Sequence, residues 1–228
     1  MFDNGRFSEY ATFSVTDWLA HTPAAVLAKN FGVPLDVVQG LPKGEVYIVK
    51  GPPPPPLPVD PPPGAAEAPP LTHRYRLLAQ KPQRFAGGMV RVVSASEFPI
   101  STTMTGVLMQ LAPGGLRELH WHPNADEWQY FLAGRARMTV FGSKGRVSTA
   151  EFGPGDVGYV PQGYGHCIES IGAEEMRAIL VLNSGSYQDI SISGWLASNP
   201  RPLVATNLGL PEAALAGFPT EKIFIAGA

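Results

Sequence analysis

The chain has 228 residues, a formal net charge of −2, one cysteine, and abundant Pro (24) and Gly (25), enough chain for one large domain or two small ones. Without clustered Lys or Arg it offers no face to nucleic acid or a membrane surface, and no apolar run approaches the ~20 residues that span a bilayer. The lone Cys167 excludes an internal disulfide framework and the N-terminus lacks the pattern of a secretory signal, so a soluble, cytoplasmic protein is expected.

From the N-terminus, Ser14 or Thr16 can cap a short helix carrying Trp18 and Leu19. Thr22 can cap a second, with Pro23 at its first position and Gly32 past its end. Residues 51–70 contain eleven prolines, and a run so poor in backbone N–H groups reads as an extended polyproline linker. It separates an arm, 1–50, from a main body, 71–228. In that body, short segments rich in β-branched and aromatic residues alternate with Gly/Pro turns at the spacing of a sandwich or barrel. Strands are expected at Tyr75–Leu78, Met89–Val93, Thr103–Leu111, Arg117–His122, Glu127–Leu132, Ala136–Phe141, Ser148–Phe152, Asp156–Val160, His166–Ser170 and Met176–Leu182. Asn199-Pro200 and Gly209 then mark a second pair of short helices, Pro211-Glu212 begins another helical turn, and Lys222–Ala226 offers a last strand.

That second helix pair copies the first. Trp18, Leu19, Ala20, Pro23, Ala28, Asn30, Gly32 and Pro34 recur as Trp195, Leu196, Ala197, Pro200, Ala205, Asn207, Gly209 and Pro211. Upstream the copies fall out of step. Ser8-Glu9-Tyr10-Ala11-Thr12 separates Phe7 from Phe13, where only Gln188-Asp189 separates Tyr187 from Ile190.

The chemistry concentrates in GGLRELHWHPNADEWQYFLAG. His120 and His122 are two apart on an expected strand, so both imidazoles point to one face, and Glu127 follows after a Pro-Asn turn. His166 begins a later strand after a Gly-rich turn. Lone histidines are usually satisfied core or surface groups, but three imidazoles and a carboxylate in one pattern suit a divalent first-row metal. An octahedral site would leave two adjacent positions for water, substrate or dioxygen. Trp121, between the two histidines, must face away from them, as must Cys167 after His166. Their roles are packing against a neighbouring domain or subunit and small-residue packing, respectively.

Gly114-x5-His120-x-His122-x4-Glu127-x6-Gly134 resembles the first cupin motif, and Gly155-x5-Pro161-x-Gly163-x2-His166 the second, with Ser170 where Asn is usual. The resemblance implies an all-β cupin fold, a jelly-roll-type barrel with short flanking α-helices. The segments Arg117–His122, Glu127–Tyr130, Gly155–Pro161, Tyr75–Leu78 and Trp195–Ala197 further resemble the second cupin domain of bicupin oxalate decarboxylases. From that likeness the expected activity is manganese-dependent cleavage of oxalate to formate and carbon dioxide, with dioxygen required but not consumed. The metal ligands would be His120, His122, Glu127 and His166. Arg117 could meet a substrate carboxylate with charge-assisted hydrogen bonds, and Tyr187 matches a tyrosine that the family places near the second metal. Cobalt, nickel, zinc or iron could substitute for manganese.

One departure matters. Where the family's second domain has a glutamate facing the metal, this chain has Leu180, although decarboxylation needs a positioned acid. The arm resembles the end of the family's first cupin domain, where a lid beginning Ser-Glu carries the catalytic glutamate. Ser8-Glu9-Tyr10-Ala11-Thr12 matches that lid and Glu9 its acid, with Tyr10 and Ala11 in place of Asn-Ser. These matches lead us to expect the C-terminal part of a bicupin, self-associating as a homo-oligomer, with activity reduced by the single barrel. Oxalate oxidase and a non-catalytic metal-binding cupin are the alternatives.

Overall fold

The computed structural model describes residues 14–48, 50–53, 55–56 and 72–228. The SEYAT segment with Glu9 and most of the proline run lie outside the described residues. The chain divides into two compact units, Met1–Ala68 and Pro69–Ala228.

Among the described residues of the first unit three helices follow one another, α1 (Val15–Ala20), α2 (Ala24–Phe31) and α3 (Leu35–Gln39). Ser14 caps α1 by accepting from Asp17 N at 3.3 Å, while the Thr16 hydroxyl accepts from Val46 N at 2.9 Å. Pro23 precedes α2 and Gly32 ends it at φ 65°. No helix was expected at α3, whose five residues are too few for a periodic signal.

The second unit is two antiparallel sheets. Its strands are β1 (Gln83–Phe85), β2 (Gly88–Val93), β3 (Thr105–Leu111), β4 (Leu116–Trp121), β5 (Glu127–Ala133), β6 (Ala136–Phe141), β7 (Val147–Phe152), β8 (Val157–Val160), β9 (Gly165–Ser170), β10 (Met176–Leu182), β11 (Ile190–Ser191) and β12 (Ile225–Ala226). One sheet runs β1-β2-β3-β10-β5-β8 and the other β11-β4-β9-β6-β7, with β12 added against β4. Helices α4 (Ile192–Ser198) and α5 (Arg201–Leu208) and a 3-10 turn (Glu212–Gly217) follow the strands. The architecture is the all-β one expected, with short helices at its flank.

Alternation explains the sandwich. On β5, Glu127, Gln129 and Phe131 point inward while Trp128, Tyr130 and Leu132 face out. The facing inner rows meet in a core that includes Val107, Met109, Leu111, Phe131, Ile168, Met176 and Leu182. Each such side chain removed from water contributes roughly 1.5–3 kcal/mol. Gly134 takes φ 69° at the end of β5, and a Cβ there would stand 2.6 Å from Glu175 O, so the turn requires glycine.

The helical copy is visible in form. α5, like α2, has eight residues, a preceding proline and a left-handed glycine at its end, Gly209 at φ 65°. Three expectations fail locally. Thr22 does not cap α2, because its hydroxyl donates to Trp18 O at 2.8 Å and Pro23 takes the cap position. Tyr75–Leu78 is no strand, and a 3-10 turn occupies Leu77–Ala79 instead, because no neighbouring strand offers it a ladder. The last strand shrinks from Lys222–Ala226 to Ile225–Ala226, because Phe224 adopts φ 65°, a left-handed backbone that no strand accommodates.

Candidate metal centre

His120 lies on β4, His122 just past it, Glu127 at the start of β5 and His166 on β9. Gly163 ties the two motifs together: at φ 77° it turns the chain so that its N–H donates to His122 O at 3.0 Å. Across the ladder His120 is the register partner of His166. The four side chains are buried, and one ligand-type atom from each lies within 4.8 Å of the others.

All three imidazoles are oriented in the same way. His120 Nδ1 donates to Glu118 O at 2.7 Å, His122 Nδ1 to Gln188 O at 2.6 Å, and His166 Nδ1 to Tyr164 O at 3.2 Å. A carbonyl oxygen can only accept, so each Nδ1 carries a proton and each ring turns its Nε2 inward. His122 Nε2 then stands 2.8 Å, and His166 Nε2 3.6 Å, from the same Glu127 Oε2. The shorter contact is a hydrogen bond when His122 Nε2 carries a proton, and without that proton the facing lone pairs suit a cation between them. His166 Nε2 is buried without a hydrogen-bond partner, which fits a metal-directed atom. The donor set of three nitrogens and one oxygen suits manganese, iron, cobalt, nickel or zinc.

Protonation states agree with that use. Burial, helped by the Arg117 charge, holds His120 well below the ordinary imidazole range. Burial alone would raise Glu127, but His166 and the hydrogen bond from His122 outweigh it and hold the carboxyl well below the usual range. Glu127 is therefore held as an anion beside His120, whose imidazole is held neutral.

Arg117 and Tyr187 adjoin the cluster, by a route that strand alternation does not show. Arg117 and His120 are an odd number of residues apart, which would place them on opposite faces. The β4–β9 register shifts between them, two residues of β4 facing one of β9, and Arg117 and Glu118 both turn inward. The Arg117 guanidinium, 1% exposed, donates to Asp189 Oδ2 at 2.7 Å, to Phe224 O at 3.1 Å and to Tyr187 Oη at 3.5 Å, with its carbon 3.9 Å above the Phe224 ring. Tyr187 reaches from there to His122, ring centroids 5.7 Å apart, and burial pushes its phenol up so that it stays protonated.

Several neighbours escaped sequence reasoning. Asp189 binds Arg117 and Lys222 Nζ, the latter at 2.6 Å; it could have been found two residues beyond Tyr187. Burial works against its ionisation, but Arg117 and Lys222 prevail and hold the carboxyl below the usual range. Glu118 accepts from Phe224 N at 2.7 Å and from the Ser193 hydroxyl, fastening α4 and the tail onto β4. Phe224 carried no sequence signal at all. Leu180, by contrast, sits as the alignment of motifs suggested, 3% exposed and inward on β10. Trp121 is half-buried, and so is Cys167, whose thiol burial pushes up, away from nucleophilic use.

A family model described as Cupin matches residues 75–214. Among curated proteins, oxalate decarboxylase OxdC of Bacillus subtilis is 44% identical over 210 residues, covering 92% of this chain and 54% of that protein. A probable oxalate decarboxylase of Arthroderma benhamiae is 34% identical over 231 residues, covering 99% of this chain and 56% of its own length. A solved structure of the Bacillus subtilis oxalate decarboxylase, determined for work on its Mn(II) centres, superposes with a TM-score of 0.87 at 41% identity, covering 98% of this chain and 59% of that one. The chain spans about half the length of the curated relatives it matches.

Proposed function

Because the chain belongs to the cupin family, we propose that its barrel is an oxalate-decarboxylase-type site that binds manganese and converts oxalate to formate and carbon dioxide. The ligands are His120, His122, Glu127 and His166. What supports this best is the convergence of the His122 and His166 Nε2 atoms on one Glu127 oxygen, with a ligand-type atom of His120 within 4.8 Å of the set. The 44% identity to an oxalate decarboxylase supplies the substrate.

When bound, the metal supplies a Lewis acid for the oxygens of a carboxylate. The chain does the rest. Neutral His120 would bring no charge to oppose the metal, and ionised Glu127 would neutralise one unit of it. Arg117 and Tyr187 form the polar wall, a guanidinium and a protonated phenol, both donors suited to carboxylate oxygens. Asp189 occupies one edge of Arg117, so a substrate carboxylate must share or displace that bond. Leu180 gives β10 no proton to deliver, and the buried Tyr187 is a reluctant acid.

Metal-loaded protein supplied with oxalate is expected to release formate, and to stop doing so when dioxygen is removed. Hydrogen peroxide as the product would make it an oxalate oxidase instead. Neither product from fully loaded protein would leave a non-catalytic metal-binding module, the reading that the buried Leu180 favours.

The proposal extends to self-association, in the cytoplasmic setting expected from the lone Cys167. On the outer face of β5, β8 and β10, Trp128 pairs in register with Tyr159, and Tyr130 with Val157 and Ile179. All five are 38–55% exposed, an aromatic patch of the kind that a second copy covers. Sedimentation at micromolar concentration should give a mass that is a multiple of 24.4 kDa; the single-chain mass throughout would rule this out.

A further inference from the structure

Glu127 shows the imidazoles only one of its two oxygens, because the other is taken. Gln129 stands two residues along β5 on the same inner face, fully buried, and its Nε2 donates to Glu127 Oε1 at 2.6 Å. A carboxylate can only accept, so it is the amide nitrogen that faces it. The amide oxygen then points away and finds no partner in the interior. A buried acceptor left unmade is costly, and an apolar side chain of the same volume would avoid that cost.

The surroundings nevertheless make room for the amide. Gly158, the register partner of Gln129 on β8, lacks the Cβ that would collide with Gln129 Oε1. Leu180, its partner on β10, offers only hydrocarbon. A half-satisfied amide kept in a dry core points to a task for the satisfied half.

We propose that Gln129 is a positioning residue for the metal. By occupying Oε1 it makes Glu127 a one-oxygen ligand through Oε2, and so keeps free a coordination position that a two-oxygen carboxylate would fill. The inference rests on the metal site proposed above.

Gln129→Met retains length and volume but removes the amide. The metal-free variant is expected to melt below the parent, since the orphaned amide oxygen is gone but the buried Glu127 Oε1 loses its donor, the costlier loss for a charged group. Its dissociation constant for Mn(II) should rise ~10–100-fold, the usual consequence of losing a partner behind a metal ligand. The Mn(II) electron paramagnetic resonance fine structure should shift as well. Gln129→Leu should move the dissociation constant in the same direction, which separates the lost hydrogen bond from a packing effect. An unchanged constant and spectrum in folded Gln129→Met overturns the inference while leaving the metal site intact. Absence of Mn(II) binding by the parent chain overturns both.

Discussion

Replacing His120 and His166 together by alanine is expected to abolish metal retention. The parent chain should carry roughly one divalent ion per four-ligand site, and the double variant only traces. The argument is geometric. These two rings face each other across the β4–β9 ladder with centroids 4.1 Å apart, so their removal takes away one whole side of the cage. What remains, His122 and Glu127, is a contact pair 2.8 Å apart that can share a proton without any metal. A second readout follows from linkage. An ion that binds only the folded chain stabilises it by about 2.7 kcal/mol at a hundredfold excess over its dissociation constant. Added Mn(II) should therefore raise the melting temperature of the parent and leave the double variant unmoved. Metal content equal to the parent's would sink the assignment of these four residues.

Asp189→Asn should produce the largest loss of stability among the polar substitutions discussed. It keeps the shape of the side chain but leaves the Arg117 guanidinium, 1% exposed, without its counter-charge. Breaking a buried ion pair from one side typically costs 3–5 kcal/mol, and about that loss is expected at neutral pH from urea unfolding. The cost should depend on pH in a defined sense. Arg117 and Lys222 hold the Asp189 carboxyl below its ordinary value, so the native state binds its proton less readily than the unfolded chain does. Its contribution is therefore complete above the ordinary aspartate value of about 4 and is lost as pH falls through the lower, folded value. The gap between parent and variant should close over that acid range and stay constant from pH 5 to 8. A gap that persists undiminished at the acid end would show that the ion pair is not its source.

Much of the barrel was legible because its strands alternate cleanly. β5 and β10 read as inward and outward rows from the sequence, and their observed bounds differ from the expected ones by at most one residue. The quartet of His120, His122, Glu127 and His166 was legible for the same reason, since residues two apart share a face and glycine-marked turns fix the rest. Gln129 was available by that rule too, two residues beyond Glu127, and was passed over because amides carry no ligand signal. Arg117 escaped it altogether, because one extra residue in β4 reverses the parity between positions 117 and 120. The wall behind it, Asp189 and Phe224, depends on tertiary closure and left no periodic trace.

The Arg117 bonds also divide the site by the order in which chain can be brought together. His120, His122 and Glu127 flank the short connection from β4 to β5, whereas Arg117 finds its partners 72 residues later at Asp189 and 107 later at Phe224. Loop closure grows costlier with length, if slowly, and contacts of such separation slow folding. Most of the proposed metal cage is thus a local product of a single turn, while the setting of Arg117 is a product of completed topology. A chain halted before its tail docks can hold three of the four proposed ligands close together and still lack the Phe224 contacts that fix Arg117.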